Sequence, residues 1–160
     1  MNAKRLGGVF LPTLLDRLIE HPDGAPGPAS RAAYEEAVLR DLRWLLNSTA
    51  VLSEDALEPN PWVRTSVLNF GIRSNYGSAL SGDRIRTMAS EIKTAILAFE
   101  PRVLRDSVSV SPESEIEDGR SAQVTFKINA TYWYEPYPIE LSMWARWDID
   151  CGLLALDTER

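Results

Sequence analysis

The sequence predicts an α+β domain, with N-terminal helices packed on one face of a mainly antiparallel C-terminal sheet. Apolar residues recur at helical spacing in the first half of the chain, whereas apolar and polar residues alternate in the second half. Pro101 marks the change, because proline ends the last predicted helix. The length of 160 residues suits one domain that buries its own core.

A short amphipathic helix is predicted within residues 1–21. Its apolar stripe consists of Leu11, Leu14, Leu15, Leu18 and Ile19. Residues 22–30 are rich in Pro, Gly and Ala and are expected to be a linker, which leaves residues 31–157 as one domain. The stripe packs either on that domain or on another protein, and the pattern leaves both alternatives open.

Two longer helices follow. Ser30 is a suitable N-cap for a helix that runs to about Leu46. Ser81 or Asp83 is suited to cap a helix that ends at Phe99 and carries the cleanest helical periodicity of the chain. Residues between these helices are predicted to form loops and a short apolar segment.

Four strands are predicted after Pro101. They span residues 103–110, 123–132, 139–147 and 149–156, and the second and third alternate most regularly. The last would be an edge strand with few charges before Asp157, so it lacks the usual protection against strand pairing. Large aromatic residues on the polar side of these strands or in their turns, Trp133, Trp144 and Tyr137, either lie under a further layer or serve as contact anchors.

Composition excludes several functions. The net charge of −6 disfavours binding to nucleic acid or to an anionic membrane. No apolar stretch is long enough for a signal peptide or a membrane span, so a cytoplasmic location is expected. Cys151 is the only cysteine, and its strand-like surroundings favour a buried structural thiol.

Few residues are suited to chemistry. With one histidine, His21, and one cysteine, the chain is not expected to hold a zinc ion, and it has no phosphate-binding glycine loop, so no metal and no cofactor are predicted. Paired carboxylates leave one enzymatic alternative, a small peptidoglycan hydrolase. The candidate carboxylates are Glu100, Asp106, Glu115, Glu117, Asp148 and Asp150.

The triplet Glu100-Pro101-Arg102 is the most unusual feature of the sequence. An acidic residue at the C-terminus of a helix faces the negative end of the helix dipole, which is unfavourable. The proline fixes the backbone there, so the two charges are expected to project from a constrained corner. They either pair with each other or bind a partner.

These residues resemble a known family. Glu100-Pro101-Arg102, between a helix and a strand, resembles the E-P-R signature of the phage baseplate wedge family, which includes the TssE proteins of type VI secretion systems. Three further stretches resemble TssE motifs in the same order. They are Leu14-Leu15-Asp16-Arg17-Leu18, the segment from Leu39 to Asn47, and Ser66-Val67-Leu68-Asn69-Phe70-Gly71. The loop around Asn75, Tyr76 and Gly77 departs from the family pattern.

The resemblance implies a structural role without catalysis, although the family has carried a lysozyme-related label. Its members lie in the baseplate wedge with TssF, TssG and TssK, at the inner face of the cytoplasmic membrane, and offer a sheet to the first sheath ring of TssB and TssC. Glu100, Pro101 and Arg102, with Leu11, Leu14, Leu15 and Leu18, are then expected to bind wedge partners. The expected sheath contacts are Trp133, Trp144, Leu153 and Leu154, and a proline at Leu154 is expected to remove a ladder donor.

Overall fold

Two long helices and a four-stranded sheet form the body of the protein. The computed structural model describes residues 13–20, 30–73, 81–113 and 123–158. The helices are α1 (Leu14–Glu20), α2 (Arg31–Leu46), α3 (Glu54–Leu57) and α4 (Gly82–Phe99). The strands are β1 (Thr49–Ala50), β2 (Ile72–Arg73), β3 (Ser109–Pro112), β4 (Gln123–Tyr132), β5 (Ile139–Asp148) and β6 (Leu154–Thr158). Leu11, His21, Glu115, Glu117, the Asn75 loop and most of the predicted linker lie outside the described residues.

Both predicted long helices are confirmed. The Ser30 hydroxyl accepts a hydrogen bond from the backbone N–H of Ala33 at 3.1 Å, which satisfies a donor at the start of α2. Ser81, and not Asp83, caps α4 in the same way through the N–H of Arg84. The buried residues of α4 lie three or four positions apart, so one stripe of the helix faces the core.

The sheet has the order β3-β4-β5-β6 and is antiparallel throughout. One face is buried, because alternate residues of β4 and β5 pair across the ladder with no exposure, such as Phe126 with Ala145 and Ile128 with Met143. α2 and α4 pack on this face and complete the core. The opposite face carries the alternating polar residues of the same strands, and no described helix covers it. The predicted α+β class is confirmed.

The first strand begins later than the sequence predicted. The prediction placed it at residues 103–110, but β3 starts at Ser109. Upstream of Ser109, separate backbone hydrogen bonds join the chain to the end of β4. The N–H of Trp133 donates to the carbonyl of Arg102, and the N–H of Leu104 donates to the carbonyl of Thr131. A 3₁₀ turn at Arg105–Ser107, between Leu104 and the start of β3, interrupts the regular ladder.

The last strand is also displaced, to Leu154–Thr158 from the predicted 149–156. The carboxylate of Asp148 accepts the N–H groups of Asp150 and Cys151, and Gly152 adopts a positive φ of 71°. These contacts form a turn before the strand. Cys151 is exposed in that turn, so the prediction of a buried structural thiol is wrong.

Candidate functional site

The charged triplet forms an ionic corner, defined here as Glu100, Arg102 and Asp41. The Arg102 guanidinium donates to both carboxylate oxygens of Glu100, at 2.7 Å and 2.6 Å, and its backbone N–H donates to Glu100 Oε1 at 3.0 Å. The same guanidinium donates to Asp41 Oδ2 on α2 at 2.7 Å. The corner therefore joins the end of α4 to the middle of α2 by charge-assisted hydrogen bonds.

Burial makes this corner part of the fold. Glu100 is 5% exposed, so the expectation that its side chain projects from the corner is wrong. Burial alone would lower the pKa of Arg102, but the hydrogen bonds and charge of Glu100, with those of Asp41, raise the pKa above its ordinary value. The cation at Arg102 also offsets the unfavourable position of Glu100 at the C-terminus of α4. Of the two alternatives, the internal pair is present.

A chain of charges continues from the corner to α1. Asp41 accepts hydrogen bonds from Arg40 at 3.0 Å and 3.1 Å, and Arg40 forms a salt bridge with Asp16 on α1. The Asp16 pKa is lowered, chiefly by its hydrogen bond from Arg40. Thr13 donates to Asp16 at 2.6 Å and completes the contact. α1 is thus attached to the domain through polar contacts.

The leucines of α1 remain largely in water. Leu14 and Leu18 are 69% and 67% exposed, and Leu15 is 38% exposed. Leu11, which was predicted to belong to the same stripe, lies outside the described residues. The described part of the stripe therefore offers apolar surface beside the Asp16 contact.

Trp133 lies beside the ionic corner, although the sequence grouped it with the sheath contacts. Its backbone N–H bonds to the Arg102 carbonyl at 2.8 Å, and its carbonyl accepts the Tyr34 hydroxyl at 2.8 Å. Burial raises the pKa of Tyr34 to about 12. The Trp133 side chain is 52% exposed, and Pro101, which precedes Arg102 in the chain, is exposed as well. The backbone bond to Arg102 therefore brings two exposed apolar residues to the region of the corner.

Trp144 lies on the open face of the sheet. Its indole N–H donates to Glu113 at 2.8 Å, and the Lys127 ammonium lies 5.4 Å from its ring centroid. The ring is half-buried by these neighbours on adjacent strands. Tyr137, in the turn before β5, is 79% exposed.

The outer edge of β6 is partly closed, contrary to the prediction of a bare edge. The Asn47 side-chain amide at the end of α2 accepts the N–H of Leu154 at 2.9 Å and donates to the Leu154 carbonyl at 2.9 Å. Arg43 donates to the Leu156 carbonyl at 3.3 Å. Leu154 is 3% exposed, and its N–H is bonded to Asn47 and not to the ladder, so the predicted reason for a proline effect at this position is wrong. Leu153 is 56% exposed in the turn.

Sequence reasoning missed a second group of exposed apolar side chains. Trp62, Val67 and Leu68 are 88%, 85% and 69% exposed on two successive 3₁₀ turns. Phe70, next to them, packs edge-on against Phe99, with ring centroids 5.2 Å apart, and holds these turns on α4. The sequence feature that could have indicated this group is Trp62, a bulky aromatic residue directly after a proline.

Within the described ranges, no group of His, Cys, Asp and Glu side chains is arranged to hold a metal ion. Glu100, the first candidate carboxylate, is paired with Arg102. None of the helices described is both long and apolar enough to cross a membrane.

Comparison with known protein families identifies the family of the chain. A family model described as baseplate wedge protein gp25 matches residues 32–137, which is well over half of the chain. The span begins in α2 and ends after β4, so it includes the ionic corner. No curated protein and no solved structure matches the chain.

Proposed function

The chain belongs to the baseplate wedge protein gp25 family, and from that premise we propose that it is a structural wedge subunit of a type VI secretion baseplate. In this role it binds the wedge core and offers its sheet as the template for the contractile sheath. The family is one of structural baseplate proteins, whose members contact other baseplate proteins. The proposed partners are TssF, TssG and TssK in the wedge and TssB and TssC in the sheath.

The observation that carries the proposal is the open architecture of the sheet. Four strands lie in one layer, with helices on one face and two strands, β3 and β6, at the edges. An open antiparallel sheet presents backbone N–H and C=O groups to an added strand, which gives affinity without a pocket. A sheath built from linked strands can start on such an edge.

The wedge contact is proposed at the surface of the ionic corner. Pro101, Trp133 and the exposed leucines Leu14 and Leu18 supply apolar area, whereas Glu100 and Arg102 hold that surface in place from beneath. Aromatic and apolar anchors carry most of the energy of protein interfaces. This division assigns Glu100 a positioning role.

Catalysis is no part of the proposal, and we place the assembled protein at the inner face of the cytoplasmic membrane. A peptidoglycan turnover assay with the purified chain is expected to show no activity. Turnover that disappears when a single carboxylate is changed would support the hydrolase alternative instead.

The test of the structural role uses a strain that lacks the gene and carries the tagged chain. We expect TssF, TssG and TssK to co-purify with it and fluorescent TssB sheaths to reappear at normal number. The Cys151→Ser variant, altered in an exposed turn, is the matched control and should behave as the unaltered chain. Normal sheath number in the strain without the gene would contradict the proposal.

A further inference from the structure

Two of the sequence stretches that resemble TssE motifs meet at Arg40. Asp16 belongs to the stretch from Leu14 to Leu18, and Arg40 belongs to the stretch from Leu39 to Asn47. The two Nη atoms of Arg40 donate one to each carboxylate oxygen of Asp16, and Nη2 also lies 3.4 Å from the Thr13 hydroxyl oxygen. The start of α1 is therefore bound to α2 by a bidentate charged contact.

Two neighbours on α2 hold the guanidinium of Arg40. Asp41 Oδ1 accepts hydrogen bonds from Arg40 Nε at 3.1 Å and from Arg40 Nη2 at 3.0 Å. Trp44, one turn further along the helix, has its ring centroid 5.2 Å from the guanidinium carbon. Residues of α2 therefore set the orientation in which Arg40 binds α1.

α1 contacts the domain through its polar side, which is the reverse of the usual arrangement for an amphipathic helix. Residues two positions apart in an α-helix are separated by about 200° around its axis. Leu14 and Leu18 each lie two positions from Asp16, so they are on the opposite side of the helix, and they are 69% and 67% exposed. None of the described residues of α1 is part of the hydrophobic core. The contact with Arg40 thus decides which side of α1 faces outward.

α1 is too short to be stable as a free helix. It has seven residues, whereas isolated helices of fewer than about 12 residues are marginal in water. Its start is capped, because the Thr13 hydroxyl accepts the N–H of Asp16 at 3.3 Å and donates to the Asp16 carboxylate at 2.6 Å. Arg40 binds the same two residues, so its loss should loosen the helix as well as its attachment.

The same arginine connects α1 to the ionic corner. Asp41 accepts Arg40 through Oδ1 and accepts Arg102 through Oδ2 at 2.7 Å. Opposite charges therefore alternate along one line, which runs through Asp16, Arg40, Asp41, Arg102 and Glu100. The exposed leucines and the region of the corner, the two surfaces proposed for wedge contact, lie at opposite ends of this line.

We propose that Arg40 is a positioning residue for the wedge contact. It holds α1 by its polar side, so that Leu14 and Leu18 face an apolar surface of the wedge partner in a fixed position relative to the ionic corner. Arg40 needs no contact with the partner, because it acts through the placement of α1. The identity of the partner rests on the proposed function, whereas the attachment of α1 is a property of the free chain.

Amide hydrogen exchange in the free chain tests the attachment. The amide of Arg17, which bonds to the Thr13 carbonyl at 3.0 Å, reports on the first turn of α1. Arg40→Ala should speed exchange at this amide by about tenfold, as expected when a hydrogen bond to a charged group is lost. Arg40→Lys keeps the charge without the planar guanidinium and should have an intermediate effect.

Arg31→Ala is the matched control, because Arg31 also lies on α2 but pairs with Glu35 of the same helix at 2.7 Å. It should leave exchange at Arg17 unchanged, and thermal unfolding should verify that every variant folds. Exchange at Arg17 that is unchanged in Arg40→Ala, or that Arg31→Ala raises equally, would overturn the proposal.

Co-purification with TssF and TssG tests the consequence for binding. Arg40→Ala should weaken it as much as the double change of Leu14 and Leu18 to Ser, and the triple variant should show no further loss. Additive losses would show that Arg40 contacts the partner itself, and normal binding by Arg40→Ala would show that the placement of α1 is not needed. Either result overturns the positioning role. Normal binding by the leucine variant would contradict the wedge contact of the proposed function, even where exchange at Arg17 supports the attachment.

Discussion

The ionic corner and the outer edge of the sheet both involve α2, but they differ in how many of their polar groups are already bonded within the chain. At the corner, both carboxylate oxygens of Glu100 and the guanidinium of Arg102 have partners. At the edge, the side chain of Asn47 bonds both backbone groups of Leu154. Glu140, on β5 beyond the described part of β6, has its backbone N–H and C=O on the β6 side and lines a groove beside α2.

This difference distinguishes buried residues that support a surface from exposed residues that can contact a partner. A buried polar group with all its partners gains little from a new protein, because a partner would have to replace bonds that exist. An unpaired backbone group at an edge gains a bond whenever a strand arrives. We therefore expect variants at the corner to act on stability, and variants at the open edge to act on assembly.

The largest effect is predicted for the corner. Arg102→Ala leaves the Glu100 carboxylate buried without its cation, which should lower the free energy of unfolding by about 3–5 kcal/mol and the Tm by roughly 10 °C. Urea and thermal unfolding measure both. The double change of Glu100 and Arg102 to Ala removes the unpaired charge and should cost less than Arg102→Ala alone.

Arg86→Ala is the control for this prediction. Arg86 also pairs with an acidic residue of α4, Asp83, but their side chains are 74% and 90% exposed. An exposed pair of this kind contributes about 0.5 kcal/mol or less. If Arg102→Ala were as mild as Arg86→Ala but abolished wedge binding, the corner would be a contact surface and the comparison would fail.

A smaller effect is predicted where the edge is closed. Asn47→Ala removes the two bonds to Leu154 and one to the Arg43 carbonyl, and should cost about 1–2 kcal/mol because these groups are partly hydrated. The amide of Leu154 should then exchange faster with solvent. Ser48→Ala, which removes one exposed bond to Trp44, is the control. Unchanged exchange at Leu154 would show that Asn47 does not protect this edge.

The parts of the fold with regular periodicity were predictable. The alternation in β4 and β5 and the stripe of α4 identify their elements because burial on one side repeats at the period of the element. The displaced start of β6 was not predicted, since it depends on side-chain bonds from Asp148 to its own turn. Such local bonds compete with strand pairing, and they do not produce a periodic pattern of apolar residues in the sequence.

The candidate site was predictable only in part. The sequence singled out Glu100 and Arg102, but the third residue of the corner, Asp41, lies 61 residues before Arg102. The closure of β6 likewise depends on Asn47, 107 residues before Leu154. Contacts between positions so far apart arise from tertiary packing, which the pattern of residues in a single sequence does not reveal.

The smallest effect on stability is predicted for α1. Leu14→Ser and Leu18→Ser alter side chains that are mostly in water, so the free energy of unfolding should change by less than about 0.5 kcal/mol. Co-purification with TssF and TssG should nevertheless weaken, because apolar surface is lost from the wedge contact. Arg17→Ser, on the same helix, is the control and should bind normally. A clear loss of stability in the leucine variants would place the stripe in the core.

Amide hydrogen exchange tests the difference between closed and open edge most directly. In the free chain, the amide of Leu154 should exchange slowly and that of Glu140 rapidly. Addition of purified TssB and TssC should slow exchange at Glu140 by about tenfold or more, as expected for an amide that enters a ladder, while Val110 stays unchanged. Protection that appears at Val110, with Glu140 still exchanging rapidly in the complex, would contradict the account.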